Sequence, residues 1–154
     1  MFNIDLYFSA NGGNNGRELW NYDAANSPSM VADIRPGWDG SGPQSLIVFN
    51  NELYFNANNG VSEKLWNYDG VNVPSMVGVG SVSHPLWLTV FNNELYFSAG
   101  GMGNGNELWK YDGTNNPSMI ASIHSGISPS WLTVFDNELY FSADDATNGY
   151  ELWN

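Results

Sequence analysis

The chain has 154 residues, with sixteen acidic against four basic side chains, a formal net charge of -12 and no cysteine. That charge repels nucleic acid and anionic lipid, so neither is an expected partner. The absence of thiols excludes disulfides, thiolate metal sites and a cysteine nucleophile.

Aromatic residues make up 15% of the chain and supply a core. A domain of this length buries roughly 70% of its unfolded surface, which suits a single repeat domain over 1–154. No apolar run reaches the roughly 20 residues that a membrane helix needs. Met1 leads directly into a strand-like segment without a basic leader, so no export signal is expected within this chain.

The first predicted strand is LYFSA at 6–10, and it returns as LYFNA at 53–57 and as LYFSA at 95–99 and 139–143. The offsets of 47, 42 and 44 residues mark an internal repeat. The second, ELWNYD at 18–23, returns as KLWNYD at 64–69, ELWKYD at 107–112 and ELWN at 151–154. Period two puts Glu18, Trp20 and Tyr22 on one face and Leu19 and Asn21 on the other. PSMVADI at 28–34 has counterparts at 74 and 117, and SLIVF at 45–49 has counterparts in WLTVF at 87 and 131. No segment shows a helical period, so helix should be nearly absent.

The connections order these strands into units. Asn50-Asn51, Asn92-Asn93 and Asp136-Asn137 tolerate the positive φ of a primed two-residue hairpin turn. The longer Gly-, Ser- and Pro-rich stretches around 35–45, 81–86 and 125–130 read as crossovers between sheets. The unit is therefore a four-stranded antiparallel meander, xLTVF, LYFSA, ELWxYD, SMxAxI, which is the anatomy of a β-propeller blade. On these boundaries 2–34 is a partial blade lacking its first strand. Residues 44–80 and 86–124 are full blades, and 130–154 is a partial blade lacking its last strand. The expected fold is all-β, a β-propeller or partial propeller. A β-trefoil is the alternative, although it has no place for the fourth copy of the LYF and ELW hairpin.

ELWKYDGT at 107–114, with its approximate copies at 18–24 and 64–70, resembles the ELWxxDGT repeat family of bacterial proteins. Ala24-Ala25 in place of Gly-Thr and Lys64 in place of Glu depart from the pattern. The resemblance covers essentially the whole chain. It implies repeat architecture and a secreted or cell-surface setting, with no defined activity.

Trp20, Trp66, Trp109 and Trp153 recur once per unit, as residues that fill the wedge between adjacent sheets do, so they are assigned to the structural core. Trp38 has no counterpart and lies in the first crossover. The meander brings that crossover to the same rim as the loop between the second and third strands. Arg35, Trp38 and Asp39, together with Asn14, Asn59, Asn104 and Asn148 of those loops, are therefore the candidate ligand-binding set. Asp144 and Asp145 are the nearest approach to a calcium loop, but no EF-hand spacing is present, and Asn and Gly serve such turns in any case. His84 and His124 lie in analogous crossovers but out of register. No metal, cofactor or catalytic residue is expected, since no G-x-S-x-G elbow, P-loop or HExxH occurs.

The expected function is a noncatalytic repeat module, a scaffold for binding or self-assembly. A lectin-like binder of neutral glycans is the alternative, and a glycoside-active enzyme with paired carboxylates the third. The incomplete first and last units suggest a closed homo-oligomer, a dimer of six full blades or of eight including thin ones.

Overall fold

The computed structural model describes residues 4–78, 82–100, 105–121, 128–144 and 147–154, and among them there are strands and turns but no helix. The chain divides into two compact units, Met1–Val77 and Gly78–Asn154.

The first unit holds two antiparallel sheets. Sheet 1 is β1 (Leu6–Asn11), β2 (Arg17–Tyr22) and β3 (Ser29–Ala32), in that order. Sheet 2 is β4 (Gln44–Phe49), β5 (Glu52–Asn58), β6 (Glu63–Tyr68) and the short β7 (Ser75–Met76). The second unit repeats the arrangement with the incomplete sheet last. Sheet 3 is β8 (Ser83–Phe91), β9 (Glu94–Gly100), β10 (Asn106–Tyr111) and β11 (Ser118–Ala121), and sheet 4 is β12 (Ser130–Phe135), β13 (Glu138–Asp144) and β14 (Tyr150–Trp153). Every neighbour in a sheet is a neighbour in sequence, so each sheet is a meander.

Turn chemistry explains the tight joints. Asn50 and Asn51, Asn92 and Asn93, and Asp136 and Asn137 all have φ between 46° and 60°, the two successive left-handed residues of a type I′ hairpin. A second left-handed position recurs at Ser45, Trp87 and Trp131, with φ of 55°, 58° and 58°. The pairing register slips there, between Gln44 and Ile47, Leu86 and Thr89, and Ser130 and Thr133, so each first strand is bulged. In the second unit the bulges set the rings of Trp87 and Trp131 with centroids 4.2 Å apart.

The turn after the third strand is built by an aspartate. Asp112 accepts the backbone NH of Thr114 and of Asn115 and the side-chain amide of Asn115, all at 2.7–2.8 Å. Asp23 and Asp69 repeat the arrangement with Asn26 and Asn72. The Asn115 amide, followed by the backbone donors, holds the Asp112 carboxyl down at about 2. Gly113 and Gly70 take φ of 88° and 90° in these turns, whereas Ala24 is forced to 67°. A Cβ at such φ costs on the order of 1 kcal/mol. Ala24→Gly is therefore expected to raise stability by about 1 kcal/mol in urea unfolding.

Within each unit the apolar core lies between its two sheets. In the first, Leu19, Tyr7 and Val31 of sheet 1 meet Leu53, Phe55, Ala57, Trp66 and Tyr68 of sheet 2. In the second, Tyr96, Leu108, Phe91 and Trp87 of sheet 3 meet Leu139, Phe141, Ala143 and Trp153 of sheet 4. The alternation along ELWNYD is as expected: Trp20 pairs with Phe8 and Tyr22 with Leu6, while Leu19 points to the opposite face and into the core.

Candidate functional site

The first crossover, 33–43, is pinned between two loops of the first unit. Arg17 and Gly40 form an isolated parallel bridge, the Gly42 NH donates to the Arg17 carbonyl at 2.8 Å, and the Asn58 NH donates to the Ser41 carbonyl at 2.8 Å. The approach at Gly16 and Gly40 is so close that a Cβ on either would collide with the facing backbone, so only glycine fits. A further tie runs from the Asn15 side-chain amide to Asp33, at 2.6 Å.

The centre of this arrangement is Glu18, which is fully buried at the start of β2. Its carboxylate accepts the backbone NH groups of Ile34 and Arg35 at 3.2 Å and of Ser41 at 2.8 Å, and also the Ser41 hydroxyl. One side chain thus satisfies the backbone at both ends of the crossover, which suits a buried carboxylate that must be compensated by donors.

Of the residues singled out in the sequence, Arg35, Trp38 and Asp39 lie together on this crossover. Arg35 donates to Asp39 at 2.8 Å and, more weakly, to the Gly40 carbonyl at 3.5 Å. An ion pair this exposed contributes little to stability and leaves its polar atoms near water. The Trp38 ring is 78% exposed. Asn14 is exposed in the adjacent β1–β2 loop.

Asn59 is committed to its own turn, where its side-chain oxygen accepts the NH groups of Val61 and Ser62 at 2.9 and 3.0 Å. Asn148 is an exposed residue of the second unit, and His84 is exposed near the start of β8. Asn104, His124 and Asp145 lie outside the described residues.

The four recurring tryptophans divide by burial. Trp109 is buried, while Trp20, Trp66 and Trp153 are half-buried. Trp66, Trp109 and Trp153 donate their indole NH to the carbonyls of Ala57, Ala99 and Ala143 at 3.0–3.1 Å. The Trp20 indole nitrogen is buried and has no hydrogen-bond partner among the described residues.

Sequence reasoning missed the role of the repeated glutamates. Glu107, the counterpart of Glu18, is also buried, but among the described residues neither of its carboxylate oxygens has a hydrogen-bond partner. A second recurring carboxylate precedes LYF. Glu52, Glu94 and Glu138 accept the hydroxyls of Tyr54, Tyr96 and Tyr140 at 3.0, 3.0 and 2.6 Å, and Asp5 occupies the same place before Tyr7. The signal was present as D/E-L-Y at 5, 52, 94 and 138.

An apolar cleft of about 670 Å³ opens in the second unit between sheets 3 and 4, walled by Phe91, Tyr96, Leu108, Phe141 and Trp153, with Lys110 and Glu138 as its charged groups. In the first unit the corresponding space holds Tyr68, which pairs with Leu53 in register and meets the Tyr7 ring edge-on at 5.8 Å. In the second unit the described register of β13 with β14 runs from Asp144 and Tyr150 to Phe141 and Trp153. Among the described residues no cluster of three His, Cys, Asp or Glu side chains is placed to hold a metal.

No protein-family model, no curated protein and no solved structure matches the chain.

Proposed function

We propose that this chain is a noncatalytic module of β-propeller type, akin to the ELWxxDGT repeats, whose sheets form a scaffold for binding or for assembly with other copies. The observation that carries the proposal is how the recurring polar groups are used. The Asp-Asn turns, the carboxylate–tyrosine pairs and the indole-to-carbonyl bonds spend their hydrogen bonds on the repeat itself, and in the first unit the Glu18 clasp does the same. Side chains that recur for such reasons serve architecture, and the four separate meanders favour radial blades over a trefoil.

Radial packing has a measurable signature, because neighbouring blades diverge from their first strand to their last. Spin labels at Asn51 and Asn93, in turns after first strands, are expected closer together than labels at Val71 and Thr114, in turns before last strands. Equal separations would indicate a flat stack and reject the propeller.

A lectin-like reading has one observation in its favour, the exposed Trp38 ring on a crossover whose backbone is fixed from both sides. Such a ring can stack on a neutral sugar, while Arg35, Asp39 and Asn14 offer hydrogen bonds. Trp38 fluorescence should then shift with a glycan identified on an array, and Trp38→Ala should abolish the response. An array without hits, followed by flat titrations at millimolar monosaccharide, rejects this reading and leaves the scaffold intact.

A further inference from the structure

Each repeat presents two apolar rows on opposite faces of its sheet. The first is the Leu-Phe-Ala row of the LYFSA strand with the tryptophan beside it, and the second combines the leucine of ELW with the tyrosine of LYF. Within both units the second row of one sheet packs on the first row of the next: Tyr7 and Leu19 on Leu53, Phe55, Ala57 and Trp66, then Tyr96 and Leu108 on Leu139, Phe141, Ala143 and Trp153.

Among the described residues two rows are left open to solvent at one end or more, and they are opposite in kind. Sheet 1 exposes a first row, where Leu6 is 55% accessible while its counterparts Leu53, Leu95 and Leu139 are at most 8%. Sheet 4 exposes a second row, where Leu152 is 76% accessible while Leu19, Leu65 and Leu108 are at most 7%. Phe135 lies beside it in the same state, 69% exposed, although its counterpart Phe49 is buried. Apolar surface of this extent on a soluble chain marks an interface.

Resting on the scaffold reading, we propose that the open face of sheet 4 docks on the open face of sheet 1 of a second copy of this chain. The occupant follows from the chain's own packing. The face that fits Leu6, Phe8, Ala10 and Trp20 is the face that already fits their counterparts twice, a tyrosine-and-leucine row, and sheet 4 carries it as Tyr140 and Leu152. The carboxylate beside the sheet 4 row, Glu138, is exposed and accepts the Tyr140 hydroxyl at 2.6 Å, as Asp5 and Glu94 accept the hydroxyls of Tyr7 and Tyr96 beside the two rows already packed within the units, so this kind of contact accommodates it. The contact is heterologous, and two copies related by a two-fold axis make it twice, which closes the assembly.

Light scattering and sedimentation on the full chain test this. The wild type is expected at twice 17.0 kDa at micromolar concentration. Leu152→Lys and Leu6→Lys should each give a monomer with an unchanged circular dichroism spectrum, because more than half of each leucine is exposed. Mixing the two variants should restore a dimer, since the intact sheet 1 of one meets the intact sheet 4 of the other. A monomeric wild type at high micromolar concentration overturns the proposal, as does a dimer that survives Leu152→Lys or a mixture that stays monomeric. The spin-label separations within one chain are independent of this result, so failure of the docking and failure of the radial arrangement are told apart.

Discussion

Glu18→Ala is expected to lower stability by about 3 to 5 kcal/mol, the range found when one partner of a buried charged network is removed. The carboxylate accepts from the backbone NH groups of Ile34, Arg35 and Ser41 and from the Ser41 hydroxyl. Each hydrogen bond to a charged group contributes about 1.5 to 3 kcal/mol, and the sum falls short of additive because water enters the space left by the side chain. Glu18→Gln keeps an acceptor for some of the donors and should cost less, about 1 to 2 kcal/mol.

The same change at Glu107 provides the contrast. Among the described residues that side chain has no hydrogen-bond partner, so Glu107→Gln gives up no such bond and should leave stability unchanged or raise it. Urea midpoints for the four proteins, wild type included, decide the matter. A loss below about 1 kcal/mol for Glu18→Ala would mean that the crossover is held by its backbone ties alone.

The contrast also shows which parts of the molecule can be read along the sequence. Strand positions and hairpin turns depend on residues within a few places of one another. Asn50-Asn51 and its copies therefore announced their left-handed turns, and the alternation in ELWNYD announced which side Leu19 would bury. The sheets follow from the same local rules, since each strand pairs with its sequence neighbour.

The Glu18 clasp joins residues 16 to 23 positions apart, and its donors are backbone NH groups, which every non-proline residue carries. Nothing in the letters at 34, 35 and 41 signals that their amides converge on one carboxylate. The rim was legible in part. Arg35, Trp38 and Asp39 lie together because a single crossover carries them, whereas Asn59 resembled a ligand group and is consumed by its own turn. Asn residues in such loops satisfy either role equally well by composition. The left-handed bulge at Ser45, Trp87 and Trp131 was illegible for a different reason. Serine and tryptophan have no preference for that conformation, so the pairing of the strand imposes it.

Trp109→Ala is expected to cost about 3 to 5 kcal/mol, as large-to-small changes in a core do when the surroundings cannot collapse into the space. Trp109 is 7% exposed, and its indole NH satisfies the Ala99 carbonyl at 3.1 Å, so the substitution removes a large apolar group and orphans an acceptor together. The two contributions can be separated. Trp109→Phe restores most of the apolar volume while still lacking the donor, and should cost about 1 to 2 kcal/mol. Trp38→Ala is the control, because a ring so exposed buries little area on folding and its loss should fall within about 0.5 kcal/mol. Unfolding by urea, followed by far-ultraviolet circular dichroism so that loss of a fluorophore does not confuse the signal, gives all three midpoints. If Trp109→Ala and Trp38→Ala proved equally mild, the recurring tryptophans would not be core residues, and their repetition would instead have to be explained by a ligand that stacks once per sheet.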